Sequence, residues 1–366
     1  MTQSDNRYMA LALTLGRRGQ GRCWPNPAVG CVIVQGARIV GRGWTQPGGR
    51  PHAETEALAQ AGVSAKGATA YVTLEPCAHH GKTPPCAQAL IDAGVARVVA
   101  AVEDSDGRVA GQGFDMLRAA GIEVDTGVMA DEAGYDLEGF FLKTEQGRPF
   151  VTLKLATTLD GRIATSSGES QWITGSEARR MVHAMRARHD AVMVGAGTAR
   201  ADDPSLTVRD LGVTHQPVRV VVSRRLDVPL MSTLARTAKD VPVWLAHGHE
   251  ADAELLRTWR GLGATLLPCD KQGVHLSPVS VLQALGAQGL TRVFCEGGGA
   301  LAASLLRADL VDELAVFTAG AAIGAEGIPA IGGMGLDRLA QAPRFALRHQ
   351  SRVGQDMLSL WRRSQT

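Results

Sequence analysis

The sequence predicts an α/β protein of two domains, and three observations carry that prediction. The chain has 366 residues, and domains of about 100–200 residues are usual. Short Val-rich apolar runs alternate with helical segments, as strands buried on both faces of a sheet do. The stretch "TEQGRPF", Thr144 to Phe150, combines charge, Gly and Pro and interrupts the series as a linker would. The expected domains are therefore residues 1–146 and 147–366.

In the first domain "MTQSDNRYMALALTLG" reads as an amphipathic helix rather than a signal peptide, since no basic region or A-x-A cleavage site accompanies its apolar run. A strand in "AVGCVIV" follows, then a helix from about His52 to Ala61, a strand in "ATAYVTL", a helix from about Cys86 to Ala93, and a strand in "ARVVAAV". Helices near "GFDMLRAAG" and "ADEAGYDLEGFFLK" flank the strand "IEVDTGV". The second series contains the strands "FVTLKLA", "DAVMVGA", "VRVVVS", "VPVWLA", "ATLLPC", "RVFCEGG" and "ELAVFTAG", with helices around 176–188, 252–261, 278–287 and 299–308. No internal repeat links the two.

Composition narrows the function classes. The formal net charge is +2, with Lys and Arg scattered, and aromatics are 4% of residues. An enzyme that acts on nucleic-acid bases would want a basic groove with stacking aromatics, which this composition does not offer. No apolar window reaches the length of a membrane span. Six cysteines in so long a chain make no disulfide framework, so a reducing, cytoplasmic setting is expected.

The chemistry concentrates in "PHAETEAL" and "LEPCAHHGKTPPC". His52, Cys77 and Cys86 supply three zinc ligands and leave a fourth position for water, the pattern of a catalytic rather than a structural site. His52 and Cys86 fall at predicted helix starts, where the helix dipole favours thiolate. Glu54, one residue beyond His52, could take a proton from water whose pKa the metal lowers to about 7 and deliver it to a leaving amine. H-x-E followed by P-C-x-x-C is the zinc deaminase signature. Here the two cysteines are separated by eight residues, "AHHGKTPP", instead of two. His79, His80 and Lys82 in that excursion could join the metal shell, contact a polar substrate, or support the loop. Asn26 of "NPAVGCVIV" could hydrogen-bond a substrate or shape a turn with Pro25 and Pro27. A structural zinc module would also use these ligands, but it would want a fourth and would leave Glu54 without a role.

In the second domain, "VGAGTARADDP" begins as G-x-G after a strand but has Arg200 where a Rossmann fingerprint needs Gly. "EGGGA" from Glu296, between a strand and a helix, is better placed to cradle a pyrophosphate. Lys154 stands in an otherwise apolar strand, where burial is costly without purpose; it could polarise a sugar or guide protonation. Asp160 could pair with Lys154 or cap a turn. Cys31, Cys269 and Cys295 read as small core residues.

The blocks "NPAVGCVIV", "PHAE", "LEPCAHHGKTPPC", "LKLATTLDGRIATSSGESQWITG", "VGAGTARADDPSLTVR" and "EGGGALAASLL" together resemble the bifunctional riboflavin-biosynthesis deaminase/reductase family of bacteria, over nearly the whole chain. The long excursion between the cysteines is itself a mark of that family. The resemblance implies a cytidine-deaminase-like α/β/α domain followed by a dihydrofolate-reductase-like α/β domain. It implies zinc-dependent deamination of 2,5-diamino-6-ribosylamino-4(3H)-pyrimidinone 5′-phosphate, then reduction of the ribosyl group with NADPH. Ala156, Trp172, Thr198, Asp202 and the run Gly298, Gly299, Ala300, Leu301, Ala302, Ala303 and Ser304 would line the dinucleotide. Ser170, Arg186, Leu206, Arg209 and Glu296 would hold the second substrate, the two arginines gripping its phosphate bidentately. Where the family shows Asp-Ser after "VRVVV", this chain has Ser223, Arg224 and Arg225, so Ser223 or Arg224 would meet the cofactor. The implied partners are small phosphorylated pyrimidines and further copies of the chain, as a dimer or tetramer, with no nucleic acid and no membrane.

Overall fold

The computed structural model describes residues 3–78, 84–107 and 110–364. The chain divides into two compact units, Met1–Gly147 and Arg148–Thr366. Each is an α/β unit of the class the resemblance implies.

The first unit runs α1 (Gln3–Gly16), β1 (Gly30–Gln35), β2 (Arg38–Trp44), α2 (Ala53–Ala61), β3 (Thr69–Val72), α3 (Cys86–Asp92), β4 (Arg97–Ala100), α4 (Gln112–Ala119), β5 (Glu123–Thr126) and α5 (Ala130–Gln146). Its sheet has the order β2-β1-β3-β4-β5. Strand periodicity builds two cores. Cys31, Ile33, Ala70, Val72 and Val98 join Ala57, Leu90 and Leu117 on one face, while Val32, Val34, Tyr71 and Val99 join Met9, Leu13 and Ala133 on the other. Alternate residues thus feed opposite helical layers, and strands buried on both sides read as unbroken apolar runs.

The sheet is mixed rather than parallel throughout. β3, β4 and β5 are parallel, but β1 pairs antiparallel with both β3 and β2. The sequence reading missed β2. A Cβ on Gly41 or Gly43 of that strand would lie 2.1 Å or 2.0 Å from the backbone of α2, so glycine there lets the helix carrying Glu54 lie directly on the sheet.

The second unit runs β6 (Phe150–Thr158), β7 (Arg162–Ala164), α6 (Ser176–Arg186), β8 (Ala191–Gly195), α7 (Ala196–Asp202), β9 (Val218–Val222), α8 (Thr233–Arg236), β10 (Val243–Gly248), α9 (Ala253–Gly261), β11 (Thr265–Cys269), β12 (Lys271–Gln272), β13 (His275–Leu276), α10 (Pro278–Ala287), β14 (Arg292–Gly297), α11 (Gly299–Arg307), β15 (Glu313–Ala319), β16 (Ile328–Pro329), β17 (Phe345–Val353) and β18 (Asp356–Arg363). Nine strands form one sheet in the order β11-β10-β9-β8-β14-β6-β15-β18-β17. The neighbours from β11 to β15 are parallel, and the unforeseen hairpin of β17 and β18 closes the sheet antiparallel. Asp312 fastens the unit's start: its buried carboxylate takes both ends of the Arg148 guanidinium at 2.8 and 2.9 Å and the Val151 N–H at 2.8 Å. Among the described residues no helix is long and apolar enough to cross a membrane.

One buried group ties this unit's stability to pH. The His189 ring contacts the Met185 carbonyl at 2.8 Å and the Thr152 hydroxyl at 3.0 Å, and burial, then Arg292, pull its pKa from 6.5 to about 3. The unfolded chain therefore binds a proton below pH 6.5 that the folded chain refuses, and stability falls as pH drops through that window towards 3. Thermal unfolding of a His189→Gln variant should show a flatter dependence on pH between 6 and 4 than the parent, and equal slopes would remove His189 as the cause.

Candidate functional site

His52 immediately precedes α2, in the N-cap position, Cys86 is the first residue of α3, and Cys77 lies on the segment leaving β3. The Cys77 and Cys86 sulfurs stand 3.7 and 3.3 Å from His52 Nδ1, and the Cys86 N–H donates to Cys77 Sγ at 3.3 Å. The three ligand atoms lie within 4.8 Å of one another, the one such group of His, Cys, Asp or Glu among the described residues. Zinc bonds of about 2.3 Å to sulfur and about 2.0–2.1 Å to nitrogen, at tetrahedral angles, separate nitrogen from sulfur by about 3.6 Å. The spacing therefore fits a zinc ion with three protein ligands.

The three groups are also coupled electrostatically. The Cys77 thiol is pulled down to about 4, first by its hydrogen bond with Cys86 and, against burial, by His52. The same contact with Cys77, then burial, raises Cys86, and the hydrogen bond to Cys77 raises His52. Protons are thus shared over a set of atoms from which a cation displaces them. Glu54 is buried, and burial, then the charge of Cys77, push it up to about 7. A buried carboxyl beside the three ligand residues is placed to take and return a proton.

Asn26 donates to the Gly49 carbonyl at 2.9 Å, holding the turn that leads into His52. His79, His80 and Lys82 lie outside the described residues. Two acids went unnoticed in the sequence. Glu75 accepts four backbone N–H bonds from the segment 104–114. Asp104 is buried and raised to about 6 by burial, with Glu75 and Cys77 among the charges that add to it. Asp104 stands in no motif, and although Glu75 is the acid of "LEPCAHHGKTPPC", its partners are backbone groups that leave no trace in a sequence.

In the second unit Glu296 is the penultimate residue of β14, beside β6. Its carboxylate pairs with Arg186 Nε at 2.5 Å and, more loosely, with Lys154 Nζ at 3.9 Å. All three side chains are largely buried. Burial would raise the Glu296 carboxyl, but Arg186 and Lys154 hold it below its usual range. Burial lowers the Lys154 ammonium, and Arg186 adds to that effect against Glu296. Arg186 also donates to the Thr207 carbonyl at 2.8 Å, whereas Arg209 is exposed and rests on Ser205 and Thr207. Leu206 is 2% exposed within the core, so contact with a substrate there falls to its backbone. Asp160 caps a turn, accepting N–H bonds from Ile323 and Gly324.

Next to Glu296, Gly297 and Gly298 have φ of 77° and 85°, values that favour glycine. A Cβ on Gly298 would lie 2.9 Å from Thr198 Oγ1, which itself donates to the Gly297 carbonyl at 3.3 Å. The start of α11 thus offers Gly299, Ala300 and Leu301 at a bare glycine cradle that an extra methyl would fill, a fit to a dinucleotide pyrophosphate. Ala302 and Ala303 are buried behind it, with Ser304 on the next turn. Ala156 is half-buried, and Ser170, Asp202 and Trp172 are exposed; Trp172 carries the Arg179 guanidinium 4.5 Å from its ring centre. Ser223 is otherwise engaged: its hydroxyl donates to Asp227 Oδ1 at 2.6 Å and accepts the Asp227 N–H at 3.0 Å. Arg224, paired with Glu250 at 3.0 Å, is the more accessible of the two.

Family models match both halves: "cytidine and deoxycytidylate deaminase zinc-binding region" over residues 2–102 and "RibD C-terminal domain" over 149–359. The chain is 44% identical over 363 residues to the riboflavin biosynthesis protein RibD of Escherichia coli, covering 96% of this chain and 98% of that one. Among solved structures it is similar to Acinetobacter baumannii RibD, with 39% identity, 99% of both chains covered and a TM-score of 0.88. It is likewise similar to the diaminohydroxyphosphoribosylaminopyrimidine deaminase/5-amino-6-(5-phosphoribosylamino)uracil reductase of Thermotoga maritima, with 33% identity, 98% and 99% coverage and a TM-score of 0.87.

Proposed function

The chain belongs to the RibD family of riboflavin-biosynthesis deaminase/reductases, and from that premise we propose which of its residues perform each step. The protein is a zinc-dependent deaminase of 2,5-diamino-6-ribosylamino-4(3H)-pyrimidinone 5′-phosphate joined to an NADPH-dependent reductase of the deaminated product. The observation that carries the assignment is the close set of His52, Cys77 and Cys86 with the buried Glu54 one residue from His52.

His52, Cys77 and Cys86 hold the zinc. Zinc held there would supply the activation of a water for attack on the ring carbon. Glu54 accepts the proton of the attacking water and hands it to the departing 2-amino group, so that one water is consumed and one ammonia leaves. Asn26 fixes the turn before His52.

In the reductase, residues 298 to 304 with Ala156, Trp172, Thr198 and Asp202 hold NADPH, which supplies the hydride when bound, and Arg224 rather than Ser223 faces its 2′-phosphate. Ser170, Arg209 and the backbone at Leu206 bind the second substrate, while Glu296 orients Arg186 and Lys154 towards it. Lys154 keeps a proton beside the sugar oxygen that the hydride makes basic. The free thiols fit a reducing cytoplasm, and the working assembly is a homo-oligomer, dimer or tetramer.

The test measures zinc, ammonia and NADPH in one preparation supplied with the diaminopyrimidine ribosyl phosphate. Near-stoichiometric zinc, with ammonia appearing before NADPH is consumed, is the expected result. Zinc with neither product would remove both assignments.

A further inference from the structure

We propose that Glu75 is a positioning residue for the metal centre, a strut that sets the Cys77 sulfur relative to His52 and Cys86. The inference rests on the zinc assignment above. Glu75 lies two residues before Cys77, is 3% exposed, and among the described residues its carboxylate bonds to backbone groups alone. Oε1 accepts the N–H of Gly113 at 2.8 Å and of Phe114 at 3.4 Å. Oε2 accepts those of Gly111 at 3.0 Å and Asp104 at 3.2 Å. Three of these donors belong to the first turn of α4 and the residue capping it, where a negative charge is favoured and N–H groups lack helical partners.

The fit is tight as well as polar. A Cβ on Gly113 would lie 2.0 Å from the Pro76 carbonyl, so α4 presses on the backbone immediately before Cys77. On its other side Cys77 takes two donors from the start of α3: the Ala87 N–H to its carbonyl at 3.2 Å and the Cys86 N–H to its sulfur at 3.3 Å. Glu75 and α3 therefore clamp Cys77 between two helix starts. The same carboxylate ties down Asp104, so one anion couples the metal loop to the loop beside it.

Glutamine keeps the shape of Glu75 but cannot keep the bonds. Whichever oxygen its NH₂ replaces, two backbone donors then face a donor, and no flip of the amide escapes this. Groups that orient metal ligands typically carry about 10–100-fold in metal affinity. In the full-length protein, Glu75→Gln should weaken zinc binding, read by chelator competition, by that factor, and should shift the visible absorption of the cobalt-substituted protein. The comparison is Asp5→Asn, which breaks another buried network of this unit, the bonds to Tyr71 and Arg97 at 3.0 Å each, and should leave zinc affinity and the cobalt spectrum unchanged. Gly113→Ala disturbs the same clamp without touching the carboxylate and should weaken zinc too, which covers a Glu75→Gln protein that does not fold. Parental zinc affinity in both clamp variants, or zinc loss that merely follows melting temperature across all three, overturns the proposal. A parent protein that binds no zinc takes down the metal centre itself.

Discussion

Glu54→Gln is expected to cut ammonia release by about 10²–10⁴-fold, the range that positioned acid–base catalysis contributes, while zinc stays bound and pre-deaminated substrate is reduced at the parental rate. The geometry separates the roles. Glu54 is outside the ligand triad, so the amide costs no metal bond. It is 4% exposed, so bulk water cannot replace it as a carrier. Gln fills the same space, and burial that raises a carboxyl to about 7 costs a neutral amide less than a charge. The substitution removes proton transfer and little else. Zinc content, ammonia release and NADPH oxidation measured on one preparation check all three arms. Retained deamination would take Glu54 out of the mechanism, and lost zinc would make it a ligand.

Much of this was readable in the sequence, and the rest failed for physical reasons. His52, Glu54, Cys77 and Cys86 were legible because ligand chemistry restricts residue type, and because two of them sit at helix starts that capping logic locates. The central strands were legible because burial on both faces leaves unbroken Val-rich runs. β2 was not: Gly41 and Gly43 stand where α2 needs room, so the contact that fixes the strand erases its apolar side chains. The hairpin of β17 and β18 was hidden because β17 is exposed along most of its length. Glu75 lies inside "LEPCAHHGKTPPC" but drew no role there, since nothing in a sequence marks an acid whose partners are N–H groups. In the reductase, Ser223 and Arg224 were named from the resemblance, and the bond from the Ser223 hydroxyl to Asp227, four residues on, is a local contact that no motif marks. Leu206 shows the same limit, because its core-facing side chain is decided by tertiary packing.

Lys154→Met is expected to lower reductase turnover about 10²-fold, the lower end of what a positioned proton donor supplies, with deamination untouched. Met matches the length of the lysine stem and suits an apolar strand, so the strand should survive. The charge balance changes instead. Glu296 now faces two cations, Arg186 at 2.5 Å and Lys154 at 3.9 Å; without Lys154 it keeps Arg186, so no buried carboxylate is stranded. The sign of the pH effect follows from burial, which lowers Lys154 below the ordinary lysine value of about 10.4. If the ammonium is the working form, parental turnover falls as pH rises through that lowered value, and the Met variant loses this alkaline limb. Lys154→Arg separates charge from proton supply: a guanidinium keeps the charge but does not give up its proton in this range. Low turnover in the Arg variant means that the proton is needed, and restored turnover means that charge alone suffices. Normal turnover in the Met variant would leave Lys154 as a strand residue and pass the protonation step to another group.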